Sequence, residues 1–484
     1  MLNDVRLYNT KSRSLETFKP IHEGKVGIYS CGPTVYHYQH LGNMRAVVFA
    51  DTLRLMFVSL GYEVRHVINI TDVGHLVGDG NEGEDKMEKG SKREGKTAWE
   101  VAKFYTDEYF RCLDMLNVPR SEFNFPRATD NIPEQIELIK MLEEKGYTYS
   151  ITDGVYFDTS KFSHYADFAK LDIEGLKSGA RVEENTEKRN STDFALWKFS
   201  PKDEQRQMEW ESPWGKGFPG WHIECSAMSK KLLGAHFDIH TGGIDHIPVH
   251  HTNEIAQSEC ANGETYVNYW MHNNFLNDAQ GKMAKSGSDF LRLQTLVEKG
   301  YSPLAFRYYL LTTHYRKEIA FSFEALDAAS VAYEKLLNWC AHHVVKIGIV
   351  SDIYSKAFRE ALYDDLGTPS AIAEMWSLIK DDKISDEDTY ATLIDMSVTL
   401  GLELHKAEKK ETLQAPENVQ KLLDVRAFAR SSIYSYFSMV KILYRKFLEC
   451  RKKPENSLYS VTVFSISPAK GVGRDRVAFP LMYV

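Results

Sequence analysis

Residues 25–71 read KVGIYSCGPTVYHYQHLGNMRAVVFADTLRLMFVSLGYEVRHVINIT, and three segments within them decide the fold. Residues 25–29 are β-branched and aromatic and run into Cys31-Gly32-Pro33, a strand meeting a turn. Residues 44–60 carry Val47, Val48, Leu53, Leu55, Met56 and Leu60 at helical spacing, with Gly61 where a helix stops. Residues 64–70, VRHVINI, read as a second strand. Strand, helix and strand in that order make a βαβ unit, the building block of a parallel sheet flanked by helices. Its ligand site belongs at the strand's carboxyl end, where free N–H groups and the positive end of the helix dipole gather. His37, His40, Gly42 and Asn43 fall there, a set that suits a nucleotide's phosphates and ribose and equally an exposed loop.

The whole chain has 484 residues, 43% hydrophobic. That length suggests about three structural units and material for a sizeable core, which excludes a disordered tail protein. Six cysteines (Cys31, Cys112, Cys225, Cys260, Cys340, Cys450) are too few and scattered for a disulfide-stapled secreted scaffold. A reduced compartment is expected, with thiols free to act as ligands. No apolar targeting segment opens the sequence and no run approaches a membrane span, so a soluble cytoplasmic protein without a membrane partner is expected. The net charge of −8 is unevenly spread: residues 421–484 hold 12 Lys and Arg against 4 Asp and Glu, and the remainder carries −16. A basic end on an acidic body fits local handling of a polyanion, and also a solvated helical face.

Residues 78–98 are rich in Gly, Glu and Lys and are expected to form a mobile, solvated loop; residues 174–190 read as a second polar excursion. Residues 99–115 and 132–145 have helical spacing, and 154–157 read as a short strand. Beyond residue 321 the chain is expected to be mainly helical, over 325–346, 368–379, 387–404 and 419–451.

Of 17 histidines, His236, His240, His246, His250 and His251 fall within 16 residues, a crowding that suggests a site. His250 and Glu254 are one helical turn apart just after Pro248, so one helix face can present both, to a metal or merely to each other. Cys31 and Cys225 would add sulfur if the fold converged them, giving a borderline-soft set suited to Zn²⁺. Gly281-Lys282-Met283-Ala284-Lys285-Ser286 offers two lysines and a hydroxyl that could neutralise a pyrophosphate, or be a solvated basic loop.

CGPTVYHYQHLGNMR (31–45), NITDVGH (69–75), FPGWHIECSAM (218–228), HTGGIDHIPVHHTNEIAQSE (240–259) and KMAKS (282–286) together resemble the cysteinyl-tRNA synthetases, a class I aminoacyl-tRNA synthetase family. The match runs over about residues 1–380. The resemblance implies an α/β fold: a Rossmann-type catalytic domain split by a connective insertion, then a mainly helical anticodon-binding region. The expected divisions are 1–120 and 216–295 for the catalytic halves, 121–215 for the insertion, 296–350 for a stem-contact region, and 351–484 for the helical region with its atypical basic tail.

The resemblance further implies Cys31, Cys225, His250 and Glu254 as ligands of one Zn²⁺ and His40 to Asn43 as the HIGH-type signature. It makes Lys282 to Ser286 the KMSKS-type loop, with Lys285 nearest the ATP phosphates. His40, Asn43, Lys282 and Lys285 would be catalytic; His40, Gly42, Asn43, Asp245 and Lys285 would bind ATP with Mg²⁺; Thr71 and Trp221 would line the cysteine pocket. The implied partners are ATP, L-cysteine and tRNA(Cys), met by a monomer. Asn43 replaces the second His of HIGH and Ala284 the first Ser of KMSKS, so altered rates are expected rather than lost chemistry. Thr252 stands where an acidic residue is usual, and the last 60 or so residues lack the family's usual tryptophan-containing pattern.

The implied reaction is attack of cysteine on the α-phosphate of ATP, then transfer to the terminal ribose hydroxyl of tRNA. Rejecting serine by shape alone yields about 1–3 kcal/mol. A zinc ion that takes the substrate thiol at about 2.3 Å gives more. Four protein ligands plus that sulfur would make five, so Glu254 is expected to loosen. Two rivals remain at this stage: a ligase joining cysteine to a glucosaminyl-inositol in mycothiol synthesis, which lacks the long helical end, and a non-catalytic zinc-stabilised nucleic-acid-binding protein.

Overall fold

The computed structural model describes residues 5–74, 85–171, 186–201, 206–278, 281–282, 291–343 and 348–408. Two compact units divide the chain, 1–409 and 410–484, and the described residues all belong to the first. The helix expected over 419–451 therefore lies outside the described residues.

A short antiparallel pair, β1 (Arg6–Asn9) and β2 (Ser14–Thr17), precedes the central sheet. The βαβ unit follows as β3 (Lys25–Ser30), α1 (Leu41–Ser59) and β4 (Glu63–Ile68), with the strands parallel from Lys25 opposite Glu63 to Ser30 opposite Ile68. α1 starts three residues before the expected Met44, because His40 and Asn43 cap each other: His40 Nδ1 accepts from the Asn43 N–H at 3.2 Å, and Asn43 Oδ1 accepts from the His40 N–H at 3.1 Å.

The expectation of a mobile loop over 78–98 needs correction. Lys86–Glu94 is a helix, α2, because the Asp85 carboxylate caps the N–H groups of Met87 and Glu88, and Gly95 closes the other end in the left-handed region, at φ 64°. α3 (Ala98–Met115) and β5 (Phe123–Asn124) complete the first half, and β5 pairs parallel with β4.

The chain then leaves the parallel sheet. α4 (Ile132–Glu144) leads into β6 (Thr148–Ile151), β7 (Gly154–Phe157), β8 (Phe194–Phe199) and β9 (Gly217–Pro219), an antiparallel sheet in that order. It returns through α5 (Trp221–Leu233), β10 (Phe237–Gly243), α6 (Thr252–Asn262) and β11 (Val267–Asn273). The central sheet runs β11-β10-β3-β4-β5, every pair parallel. Strand order reverses between β3 and β10, so their carboxyl ends flank a crevice.

Each face of this sheet has its own core. Ile28, Ile239 and Met271 pack with α1, α3 and the later helices; Tyr29, Val67 and Trp270 pack with α4, α5, α6 and the inserted strands. After β11 come β12 (Leu276–Asp278), β13 (Gly281–Lys282), α7 (Leu293–Glu298), α8 (Pro303–Leu311) and β14 (Ile319–Ala320). The helical part is α9 (Phe323–His343), α10 (Asp352–Tyr363), α11 (Thr368–Ile379) and α12 (Asp386–Leu400). α12 stops four residues before the expected Leu404 because Gly401 takes the left-handed cap, at φ 65°. Among the described residues, no helix is long and apolar enough to cross a membrane.

One buried ion pair joins the central-sheet part to these helices. Asp51 of α1 accepts from Arg54 at 2.8 Å and from Arg307 of α8 at 2.6 Å, with Asp51 and Arg307 fully buried. Arg307 also donates to the carbonyls of Leu400 and Leu116, both at 2.8 Å. Asp51→Ala leaves the buried Arg307 guanidinium without an anion, and Arg54 with only Glu122 at 3.9 Å, and should cost about 3–5 kcal/mol in a denaturant titration. A change within about 0.5 kcal/mol, typical of a surface substitution, would contradict that role.

Candidate active site and metal centre

The crevice between β3 and β10 opens into a cavity of about 630 Å³. Its lining brings together Cys31, His40, Gly42, Asn43, Thr71, Trp221, Cys225, Asp245 and His250, residues drawn from four separate stretches of sequence. Glu254 lies behind His250, fully buried. β13 places Lys282 by its backbone; the Lys282 side chain, and Lys285 altogether, lie outside the described residues.

Backbone contacts hold the cavity floor. The Cys31 N–H donates to Thr241 O at 3.0 Å, tying the end of β3 to β10, and Val35 and Thr71 bridge the loop to the end of β4. Gly32 is obligatory at this crossing: its N–H donates to Asn69 Oδ1 at 2.7 Å, and a Cβ there would sit 1.6 Å from the Asn69 carbonyl oxygen. Past β10 the chain makes a wide π-helical turn, Ile247–His251, before α6 begins. Such turns re-aim side chains, and this one presents His250 to the cavity while leaving Glu254 beneath it.

Cys31, Cys225, His250 and Glu254 offer four ligand atoms within 4.8 Å of one another. Ligands of a tetrahedral ion with bonds of about 2.0–2.3 Å stand about 3.3–3.8 Å apart, so a small inward shift suffices and the two-sulfur, imidazole and carboxylate set fits a borderline-soft divalent ion. A second foursome, Cys31, His240, His251 and Glu254, shares two of these residues. His240 and His251 do not line the cavity, so an ion held there would be shielded from a substrate that Cys225 and His250 can reach.

The group carries unequal charge. The hydrogen bond with Cys31 draws the Cys225 thiol down to about 7, against burial and with help from His250. Burial, and then the same hydrogen bond, pushes Cys31 well up. For Glu254, burial alone would raise the carboxyl, but His240 and His250 hold it well below the usual carboxylate range. Burial lowers His250, yet Glu254 and Cys225 outweigh it and raise the imidazole to about 10. Cys225 and Glu254 are thus already poised as anionic donors.

Supporting contacts fan out from this group. His250 Nδ1 lies 2.9 Å from His222 Nδ1; His240 Nε2 lies 2.9 Å from Glu254 Oε2, which also accepts from the Tyr266 hydroxyl at 3.1 Å. His251 Nε2 lies 3.3 Å from the Cys31 sulfur, and its Nδ1 is 2.8 Å from His272, which reaches the Thr10 hydroxyl at 2.7 Å. Outer partners of this kind fix ring orientation and tune ligands.

Sequence reading missed several of these residues. His222 and His272 fall outside the dense histidine run, and Tyr266 carries no motif. Glu224 sits beside Cys225 in sequence; fully buried, it accepts from the Thr71 hydroxyl at 3.2 Å, and burial together with the Asp72 charge raises its carboxyl well above the usual range. Lys86 lines the cavity with its ammonium 5.3 Å over the Trp221 ring, hidden to sequence reading within a stretch taken for a solvated loop. The Asn43 side-chain oxygen accepts from the His40 N–H, which leaves its amide NH2 available to donate.

Residues 17–331 match the family described as tRNA synthetases class I (C) catalytic domain. "Cysteine--tRNA ligase 1" of Burkholderia lata is 50% identical over 432 residues, spanning 88% of this chain and 90% of that protein. "Cysteine--tRNA ligase" of Treponema denticola is 43% identical over 457 residues, spanning 88% and 93%. Among solved structures, Mycobacterium tuberculosis methionyl-tRNA synthetase bound by methionyl-adenylate is similar with a TM-score of 0.53 at 16% identity, over 83% of this chain and 94% of that one. An Agrobacterium radiobacter LeuRS in ternary complex with tRNA and LeuAMS gives 0.55 at 11% identity, over 82% and 86%. At such identities these two bear on the fold alone. The curated relatives and the domain match carry the assignment: the chain belongs to the cysteine–tRNA ligase family of class I aminoacyl-tRNA synthetases, and it is a ligase.

Proposed function

We propose that the chain activates L-cysteine with ATP and Mg²⁺ and transfers the cysteinyl group to tRNA(Cys), selecting cysteine through a Zn²⁺ held by Cys31, Cys225, His250 and Glu254. The observation that carries this reading is the single cavity lined both by the N-terminus of α1 and by two thiols with an adjoining imidazole. A substrate spanning it places its carboxylate toward the helix end and its side chain toward the sulfurs.

In the first step a carboxylate oxygen of cysteine attacks the α-phosphorus of ATP, the bond to the β-phosphate breaks, and pyrophosphate leaves. His40, Gly42 and Asn43, at the positive end of the α1 dipole, and Asp245 after β10 hold the nucleotide; Lys282 and Lys285 neutralise the departing pyrophosphate. Thr71, supported by Glu224, and Trp221, packed 4.6 Å from the His250 ring, line the amino-acid pocket. In the second step the terminal ribose hydroxyl of tRNA takes the acyl group and AMP leaves. Action as a monomer belongs to the same reading. Free thiols at Cys31 and Cys225 support a reducing, cytoplasmic setting.

When bound, the zinc supplies a soft Lewis acid that takes a thiolate readily and a serine hydroxyl poorly. Shape alone would separate the two amino acids by about 10- to 200-fold. Glu254 keeps His240 and Tyr266 as partners for its charge if the substrate sulfur takes its place. The expected divisions of the chain, with 121–215 as the connective insertion and 351–484 as the anticodon-binding region, belong to this same reading.

ATP–pyrophosphate exchange tests it. Cysteine should exceed serine by well over about 200-fold, the limit of shape recognition, and exhaustive chelation should abolish exchange until Zn²⁺ is restored. Full exchange after chelation would contradict the metal's role. Cys225→Ser should lose bound metal while keeping native circular dichroism; a variant that keeps its zinc and its selectivity would remove Cys225 from the ligand set.

A further inference from the structure

Arg45 stands in the second turn of α1, 3% exposed, and its guanidinium is directed wholly at main chain. Nη1 donates to the carbonyls of Asn274 at 2.8 Å and Phe275 at 2.5 Å; Nη2 donates to those of His314 at 3.3 Å, Tyr315 at 3.2 Å and Lys317. Among the described residues no carboxylate pairs with it. Burial lowers its pKa to about 10, with Tyr309 and Glu318 pulling the other way, so the group stays charged at neutral pH. A buried cation without a paired anion is costly unless its donors are engaged, and here five carbonyls engage the four N–H groups of Nη1 and Nη2.

Those carbonyls belong to the roots of two strands. Asn274 and Phe275 link β11 to β12, and residues 314–317 lead into β14. β12 pairs parallel with β14 and antiparallel with β13, the strand that carries Lys282. The two roots are also tied to each other, Asn274 N–H to Tyr315 O at 2.9 Å and Ile319 N–H to Phe275 O at 3.0 Å. Asn274, Phe275 and Leu276 line the cavity along with His40, Gly42 and Asn43. From α1 itself, Phe49 stacks on Tyr315 with ring centroids 4.6 Å apart, one turn beyond Arg45.

We propose that Arg45 is a positioning residue for adenylate formation: its guanidinium fixes the small sheet bearing Lys282 against the first turn of α1, so that both elements meet the same ATP. This rests on the function proposed above. The geometry uses a planar fork with Nη1 on one root and Nη2 on the other; a lysine ammonium, with three donors at one point, cannot span both roots. A shift of about 1 Å between the two elements is enough to lower the rate about 100-fold.

Wild-type cysteine-dependent exchange is measured first, because its absence would overturn the proposed function rather than this inference alone. With exchange in hand, Arg45→Ala and Arg45→Lys in the full chain are compared for kcat, KM for cysteine and bound metal. In both variants kcat should fall by about 100-fold while KM for cysteine and metal content hold. Millimolar guanidinium should restore most of the lost kcat in Arg45→Ala, and urea should not. Unchanged kcat in both variants would overturn the proposal. So would a joint loss of kcat, cysteine affinity and metal without response to guanidinium, the mark of a merely structural arginine. If Arg45→Ala fails to fold, Arg45→Lys, which keeps a buried cation, reads the same split between kcat and KM.

Discussion

A carboxylate with no access to water persists only where positive charge or proton donors surround it, and Glu254 is such a carboxylate. His240, His250 and Tyr266 meet it at 2.9, 2.9 and 3.1 Å. The requirement propagates outward. β10 must deliver His240, the wide turn must aim His250 before α6 sets Glu254, and the approach to β11 must bring Tyr266 alongside. Cys31 from the end of β3 and Cys225 from α5 then stand close enough to share an ion with this pair.

That cluster would be inert were it not at the point where strand order reverses. β3 and β10 lie side by side, and the loops leaving them diverge to form the crevice. One wall is the capped N-terminus of α1, suited to phosphate; the other is the sulfur and imidazole group, suited to a thiol. On the function proposed above, their nearness would let recognition of a side chain and activation of a carboxylate occur on one small molecule. The same helix reaches away from the cavity through Asp51 and Arg307, so the helical part is anchored to the element that begins at the site.

Local patterns were legible in the sequence, and long-range convergence was not. The strand–helix–strand unit could be read because each segment declares its period over a few residues, and His250 with Glu254 could be read because i, i+4 spacing is itself a contact. Cys31 and Cys225 lie 194 positions apart. Their approach depends on the chain leaving the sheet and returning on the far side of β3, which residue spacing does not encode; resemblance to a family supplied that pairing. Lys86 was lost because its surroundings are Gly- and Glu-rich, although Asp85 with Glu88 three residues on was a helix-start signal that composition overrode. α10 was overlooked even though Ser355, Phe358 and Leu362 fall on one face, since its polar residues outnumber them. The start of α1 was misplaced because histidine is an uncommon cap.

Metal-edge X-ray absorption on the full chain, with and without saturating L-cysteine, tests the central claim most directly. The account predicts zinc with two sulfur neighbours and nitrogen or oxygen for the rest, gaining a third sulfur when cysteine is added and none when serine is. One sulfur with two nitrogens would place the ion in the His240 and His251 set instead. Two sulfurs that stay two at saturating cysteine would contradict recognition of the substrate through the metal.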